Sequence, residues 1–247
     1  MVISPSEITT QMLHELDQHI DPRRVQYHKD EDARTPNVNN HKYLGINTPI
    51  NREIANKYLR ILKDQGVSDI DTILEYCDFL LKKHIYELRL IAFQWSFKLK
   101  NQYRADHFKV FLHWILNYLS GWASTDDFCT HTAAYHLMRF PEFAEQYLKL
   151  VNSDNPWARR ASAVVFIVPI RKKLFFDYVF RISNALMFDT VTLVLKGYGW
   201  LLKEATRHYQ REVFDYIVLH KHEMPRVALR YAIEKLSSEM RENAMKK

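Results

Sequence analysis

Glycine is scarce in this chain. Five glycines and eight prolines among 247 residues are too few for a sandwich or barrel, folds that spend such residues at their many tight turns. Glycine-rich phosphate cradles are missing too. Neither G-x-G-x-x-G nor G-x-x-x-x-G-K-[ST] occurs, which removes the usual dinucleotide and P-loop readings. The nucleophile pattern G-x-S-x-G is also absent. Only two cysteines occur, Cys77 and Cys129, each inside an apolar helical pattern; reduced core thiols are expected, not a disulfide. The most apolar stretch, residues 161–170, contains Pro169 and falls far short of the roughly 20 residues a membrane-spanning helix needs. The first residues, Met-Val-Ile-Ser-Pro-Ser-Glu, lack the basic start and apolar run of a secretory signal. A soluble, cytoplasmic protein is expected, with monomer as the default state.

Histidine is plentiful, at twelve residues, yet the pairs His131/His136 and His220/His222 lack zinc spacing on one helical face, and no H-E-x-x-H occurs. No metal or other cofactor is expected. The 35 Lys and Arg against 29 Asp and Glu give a net charge of +6, a mild excess that favours a polyanionic partner. Its distribution says more. Residues 159–173 hold Arg159, Arg160, Arg171, Lys172 and Lys173 and no acid.

Apolar residues recur three and four apart in segment after segment: Ile73, Leu74, Cys77, Leu80; Leu88, Ile91, Ala92, Trp95; Phe108, Phe111, Leu112, Ile115. Thr48-Pro49, Asn155-Pro156 and Met224-Pro225 place proline where a first helical turn begins. The patterns predict helices near 5–20, 49–65, 69–84, 85–101, 104–119, 124–138, 141–152, 156–168, 174–187, 190–206, 209–221 and 225–243. Residues 21–47 are polar and read mainly as a connection with room for one short helix; the tail beyond about 240 is expected to fray. No alternation long enough for a sheet appears.

Short connections suggest a helical repeat array. Tyr86-x-x-Arg89-x-x-Ala92 parallels Trp157-x-x-Arg160-x-x-Ala163, and Trp122 stands between them, 36 and 35 residues from the two aromatics. That period suits helix-pair solenoids. The expected fold is all-α, a curved superhelical stack of HEAT-like antiparallel helix pairs forming one domain over 1–247.

Four local patterns line up in order: Lys42-Tyr-Leu-Gly-Ile-Asn-Thr-Pro49 with Arg52; Trp122-Ala-Ser-Thr-Asp126-Asp127-Phe-Cys129; Asn155-Pro-Trp-Ala-Arg159-Arg160-Ala161; and Gly199-Trp200-Leu-Leu-Lys203-Glu204, followed by Arg226 and Arg230-Tyr-Ala-Ile233. Together they resemble the DNA alkylation-repair family typified by AlkD, over roughly residues 40–237. The resemblance implies duplex DNA on the concave face of the stack. It also implies removal of cationic purines, such as N3-alkyladenine and N7-alkylguanine, without flipping the base into a pocket. By motif, the active-site roles fall on Trp122, Asp126, Arg160 and Trp200, with Arg160 holding a backbone phosphate. Arg159, Lys196, Lys203 and Arg226 are candidates for further phosphate contacts. Ala123 departs from the acid frequent there in the family, and Lys203 from the frequent Arg. Asp127 beside Asp126 leaves the catalytic carboxylate open by one residue.

Plainer readings stand beside these. Ser124-x-x-Asp127 has the form of a helix capping box. Trp157 reads as core, and Arg159 and Arg160 could be ordinary surface or paired residues. Two other functions fit the same pattern: a DNA-binding repeat protein without excision, directed to damaged or branched DNA, and a solenoid that grips a protein partner.

Overall fold

The computed structural model describes residues 2–33 and 42–246. Contacts group the chain into two compact units, Met1–His107 and Phe108–Lys247. Among the described residues every regular element is helical; the single β-like feature is an isolated bridge between Lys42 and Ile85.

The first unit holds α1 (Pro5–Asp17), α2 (Pro22–Ala33), α3 (Thr48–Asp64), α4 (Ile70–Leu81) and α5 (Tyr86–Lys98). Three of these starts carry side-chain caps. Ser4 and Glu7 close a capping box on α1, with Pro5 in the first turn; Asn47 caps α3 and Asp69 caps α4. Inward stripes then decide the packing. Ile8, Met12 and Leu16 of α1 are buried, and α4 packs on α5 around Ile73, Cys77, Leu88 and Ile91. Both cysteines are buried and free, as expected of core thiols.

The region 21–47 contains more structure than its polarity suggests. Over 22–30 its helix α2 turns only Val25 and His28 partly inward, too little for a visible apolar stripe. His28 stacks on Tyr43 at 4.7 Å. The remaining part of that region, 34–41, lies outside the described residues. The segment after it is held by one buried carboxylate. Glu87 Oε1 accepts the backbone N–H groups of Gly45 (2.8 Å) and Ile46 (3.2 Å), and Oε2 accepts that of Leu44 (3.0 Å). Burial raises the Glu87 carboxyl while these backbone donors pull it down. Gly45 sits at φ +75°, and a Cβ there would fall on the Asp21 carbonyl oxygen. Glycine is therefore required on both counts.

The second unit runs through α6 (Phe108–Asn117), α7 (Trp122–Phe128), α8 (Ala134–Arg139), α9 (Ala144–Leu148), α10 (Pro156–Val164), α11 (Ile167–Arg171), α12 (Phe176–Leu186), α13 (Thr192–Ala205), α14 (Gln210–His220), α15 (Arg226–Ala232) and α16 (Ser238–Met245). Three expected helices are subdivided. The 124–138 helix is α7 and α8 joined by a π-helical turn, Cys129–Ala133. The 156–168 helix ends at Val164 and restarts as α11, with Val164, Val165, Phe166 and Ile167 all buried across the break. A continuous apolar run carries no phase, so the break is invisible to periodicity. The 225–243 helix is interrupted over 233–237, and Ser237 caps α16. The expected frayed tail is instead helical to Met245, anchored by buried Ala244.

Polar staples join positions about one repeat apart in sequence. Arg104 and Asp71, 33 residues apart, pair within the first unit. In the second, Arg181 pairs with Glu145 at a separation of 36, and Tyr216 donates to Asn184 at 32. The densest staple is Glu204. Its buried carboxylate receives Arg171 Nε at 2.8 Å, Arg207 Nε at 2.6 Å and Lys235 Nζ at 2.9 Å. Burial alone would raise this acid, but hydrogen bonds from Arg171, Lys235 and Arg207 hold it at about 2.

Two stability changes follow. Gly45→Ala is expected to cost roughly 2 kcal/mol or more in denaturant unfolding, from the left-handed backbone and the blocked Asp21 carbonyl. Glu204→Gln is expected to cost about 2 kcal/mol at neutral pH, a figure kept modest because its cations are partly solvated. A carboxyl lowered by folding stabilises above its unfolded value near 4.5 and stops doing so as pH falls through about 2. The gap between wild type and Glu204→Gln should therefore narrow over that acidic window; a gap independent of pH would contradict the assignment.

Candidate nucleic-acid site

The residues given active-site roles by motif, Trp122, Asp126, Arg160 and Trp200, all fall in the second unit, while the first motif, at 42–52, lies in the first. Helix α7 starts after Gly121, whose φ of +78° turns the chain into it. Ser124 is not a cap; it lies inside the helix, and its hydroxyl donates back to the Ser120 carbonyl at 2.6 Å. The capping-box reading of Ser124 and Asp127 therefore does not hold. With α7 beginning at Trp122, Asp126 stands in the second turn, beyond the strongest reach of the helix dipole. Trp122 and Asp126 are four apart and share a face. The Trp122 indole is 47% exposed, an unusual position for so large an apolar group that is not packed.

Asp126 and Asp127 have different surroundings. Asp127 turns to exposed His131, at 3.3 Å. Asp126 meets Arg160 of α10 in a two-bond fork: Nε to Oδ1 at 2.8 Å and Nη2 to Oδ2 at 2.8 Å. The third nitrogen, Nη1, donates to the Leu193 carbonyl in the first turn of α13. The pair is nearly sealed, with side-chain exposures of 7% for Arg160 and 18% for Asp126. Burial raises the Asp126 carboxyl; the Arg160 charge and its hydrogen bonds oppose this, and the neighbouring Asp127 charge adds to the rise. The guanidinium expected on a DNA phosphate thus spends its donors on Asp126 and Leu193 and fixes the carboxylate in one orientation.

What allows this is a glycine that the motifs did not flag. A Cβ at Gly197 would lie 3.3 Å from Arg160 Cγ, so the bare backbone of α13 leaves the space in which the arginine lies. Gly199, on the other side, lets α15 approach: a Cβ there would be 2.8 Å from both the Ala228 carbonyl oxygen and Tyr231 Cβ. Beyond Gly197 the same helix presents Lys196, Trp200 and Lys203 at i, i+4 and i+7, one face of α13. Trp200 is half-buried and lies two turns, about 10 Å, along α13 from Leu193. Tyr231 joins the two lysines. Its ring centroid is 5.9 Å from Lys196 Nζ and 5.6 Å from Lys203 Nζ.

The other candidates differ in freedom. Arg226 is exposed at the start of α15 and has no ion pair among the described residues. Lys203 also bonds Glu234 at 3.0 Å. Arg159 is committed elsewhere: it pairs with Asp189 at 2.6 Å and donates to the Ser153 and Asp154 carbonyls. Trp157 is core, 2% exposed.

Set against known proteins, the geometry has company. Two solved structures share the fold. One is a predicted DNA alkylation repair enzyme from Enterococcus faecalis, with a TM-score of 0.74 and 14% identity over 89% of this chain and 98% of that one. The other is smu.31 from Streptococcus mutans UA159, with a TM-score of 0.55 and 16% identity over 76% of this chain and 96% of that one. The first likeness bears out the all-helical, HEAT-like expectation. No curated protein matches the sequence. No helix among the described residues is long and apolar enough to cross a membrane. The sequence profile of the family described as DNA alkylation repair enzyme matches residues 10–236, and the chain belongs to that family.

Proposed function

We propose that this protein is a DNA glycosylase that hydrolyses the N-glycosidic bond of cationic alkylated purines, N3-alkyladenine and N7-alkylguanine, in duplex DNA. The observation that carries the reading is the Asp126 carboxylate, locked by the Arg160 fork one helical turn from exposed Trp122.

The chemistry suits such a carboxylate. An alkyl group on N3 or N7 already makes the purine positive, so the base departs neutral and needs no general acid. The barrier lies in the positive charge that grows on the deoxyribose as the bond breaks. A fixed negative charge beside that sugar stabilises the transition state more than the ground state. The same oxygen can orient the attacking water. Arg160 acts as a positioning residue: it holds Asp126 in place and opposes its protonation. Trp122 and Trp200 supply indole faces for the electron-poor nucleotide. An indole at the surface, not in an enclosed pocket, supports excision without extruding the base, in contrast to enzymes that flip their target. Lys196, Lys203 and Arg226 supply phosphate contacts that are sensitive to salt and indifferent to sequence. The protein acts as a monomer and without a cofactor.

The test is base release from duplex DNA carrying N7-methylguanine or N3-methyladenine. Asp126→Asn is expected to lower the single-turnover rate by about 100-fold or more, the scale of losing one preorganised electrostatic group, while DNA binding persists. Retained excision in Asp126→Asn would refute the role of the carboxylate. Binding without excision by the unmodified protein would leave a DNA-binding repeat protein. The pH profile offers a second test. Because burial raises Asp126, activity should fall as pH drops through a value higher than that of an ordinary aspartate. In Arg160→Lys, which loses the fork, that acid limb should move to higher pH and the rate should fall by roughly 10-fold, as expected when a bidentate contact is replaced by a point charge. A limb that stays in place would show that Arg160 does not tune Asp126.

A further inference from the structure

The cluster around Glu204 holds three cations against one anion. Here Arg171, Arg207 and Lys235 converge on a single carboxylate, which leaves a local excess of two positive charges. The geometry also leaves donors unspent. Arg171 and Arg207 both give only their Nε to the same atom, Glu204 Oε2. The four terminal guanidinium nitrogens of the pair make no side-chain or backbone hydrogen bond among the described residues. The three cations stay wetted, at 40%, 47% and 33% exposure, while the carboxylate beneath them is 3% exposed. A sealed anion below and a rim of open N–H forks above is the arrangement of a preorganised anion seat.

The cluster's position ties it to the site already described. Glu204 is one helical turn from Trp200 on α13, on the same face. Arg171 and Lys235 lie 33 and 31 residues from Glu204 in sequence, so the cations come from successive repeats. The unassigned part of the basic run, Lys172 and Lys173, follows directly on Arg171. The plainer account is that Arg171 and Arg207 complement the carbonyl ends of α11 and α13. That account explains cations at helix ends. It leaves unexplained why two guanidinium groups share one oxygen and keep their forks turned to water.

We propose that Arg171, Arg207 and Lys235, drawn together by Glu204, form a phosphodiester-binding subsite that grips the nucleic-acid backbone beyond Trp200. The proposal rests on the DNA-binding part of the function proposed above and lengthens its footprint. Glu204 is the positioning residue, and its partners are the binding ones. Arginine suits a phosphodiester because two parallel N–H groups match two non-bridging oxygens.

The experiment measures affinity for an undamaged duplex oligonucleotide between 50 and 200 mM salt, that is, across the range in which roughly one released counterion per contact is readable. Arg171→Gln with Arg207→Gln is expected to flatten the slope of log K against log salt by nearly two units, about 0.9 for each lost contact. Arg207→Gln alone, at the most exposed of the three, should remove about half of that. Arg171→Lys with Arg207→Lys keeps both charges and should restore most of the slope. Arg181→Gln is the control: it removes the same charge from an exposed ion pair on α12 and should leave the slope unchanged. An unchanged slope in the Gln variants, or an equal flattening in Arg181→Gln, would overturn the subsite. Base release by the unmodified protein, assayed alongside, separates this outcome from failure of the glycosylase reading, since the subsite stands or falls on binding alone.

Discussion

A charge useful to a reaction on DNA must be exposed enough to reach the sugar and shielded enough to act strongly. In the function proposed above, the Asp126–Arg160 pair answers that conflict, and helices α7, α10 and α13 meet around it. Water weakens a charge's field, but burial discharges a carboxyl. A guanidinium in a two-bond fork opposes the rise that burial imposes on the acid, without flooding it with solvent. The arginine is itself held against α13, by the Leu193 carbonyl and, one turn on, by the bare Gly197 backbone. Helix α10 therefore has to pack against both α7 and α13, which it does. Replacing one partner alone would strand a charge in the interior, a cost of about 3–5 kcal/mol where burial is complete.

The repeat explains how so few residues organise so many contacts. In a stack of helical pairs, a position in one pair faces its counterpart about one repeat later. Asp126 with Arg160, Glu145 with Arg181, and Arg171 with Glu204 are separated by 34, 36 and 33 residues. Each is a long-range contact in sequence but a nearest-neighbour contact in the stack, which is how solenoids keep their energetics local.

Most helices were legible because their apolar stripes have the right period; Asn155 caps α10 ahead of Pro156 as the sequence suggests, while at Thr48-Pro49 the cap is Asn47, one residue earlier. Illegible elements failed for physical reasons. Helix α2 buries too little to leave a stripe, and the break after Val164 sits in a run that is apolar on every side. At the site, the motif residues Trp122, Asp126, Arg160 and Trp200 were readable only through family resemblance, since an isolated Asp or Trp is ordinary. The partner of Arg160 was not readable, because ion pairing across a repeat depends on side-chain direction. Gly197 matters through close approach and leaves no local signature; Gly199 and Tyr231 stood within the motif, but their approach to each other was not readable. Arg171 was visible as part of an unbalanced basic run, but its carboxylate partner 33 residues away was not.

The π-helical turn at Cys129–Ala133 acts as a phase shifter. An extra residue in a helix rotates everything before it by about 100° relative to everything after it. Helix α8 can therefore bury Ala134 and Leu137 in the core, while α7, on the same continuous backbone, aims Asp126 at Arg160 and leaves Trp122 at the surface. Without that turn, one stripe would have to serve both purposes. The core and the site would then compete for the same side of a single rod.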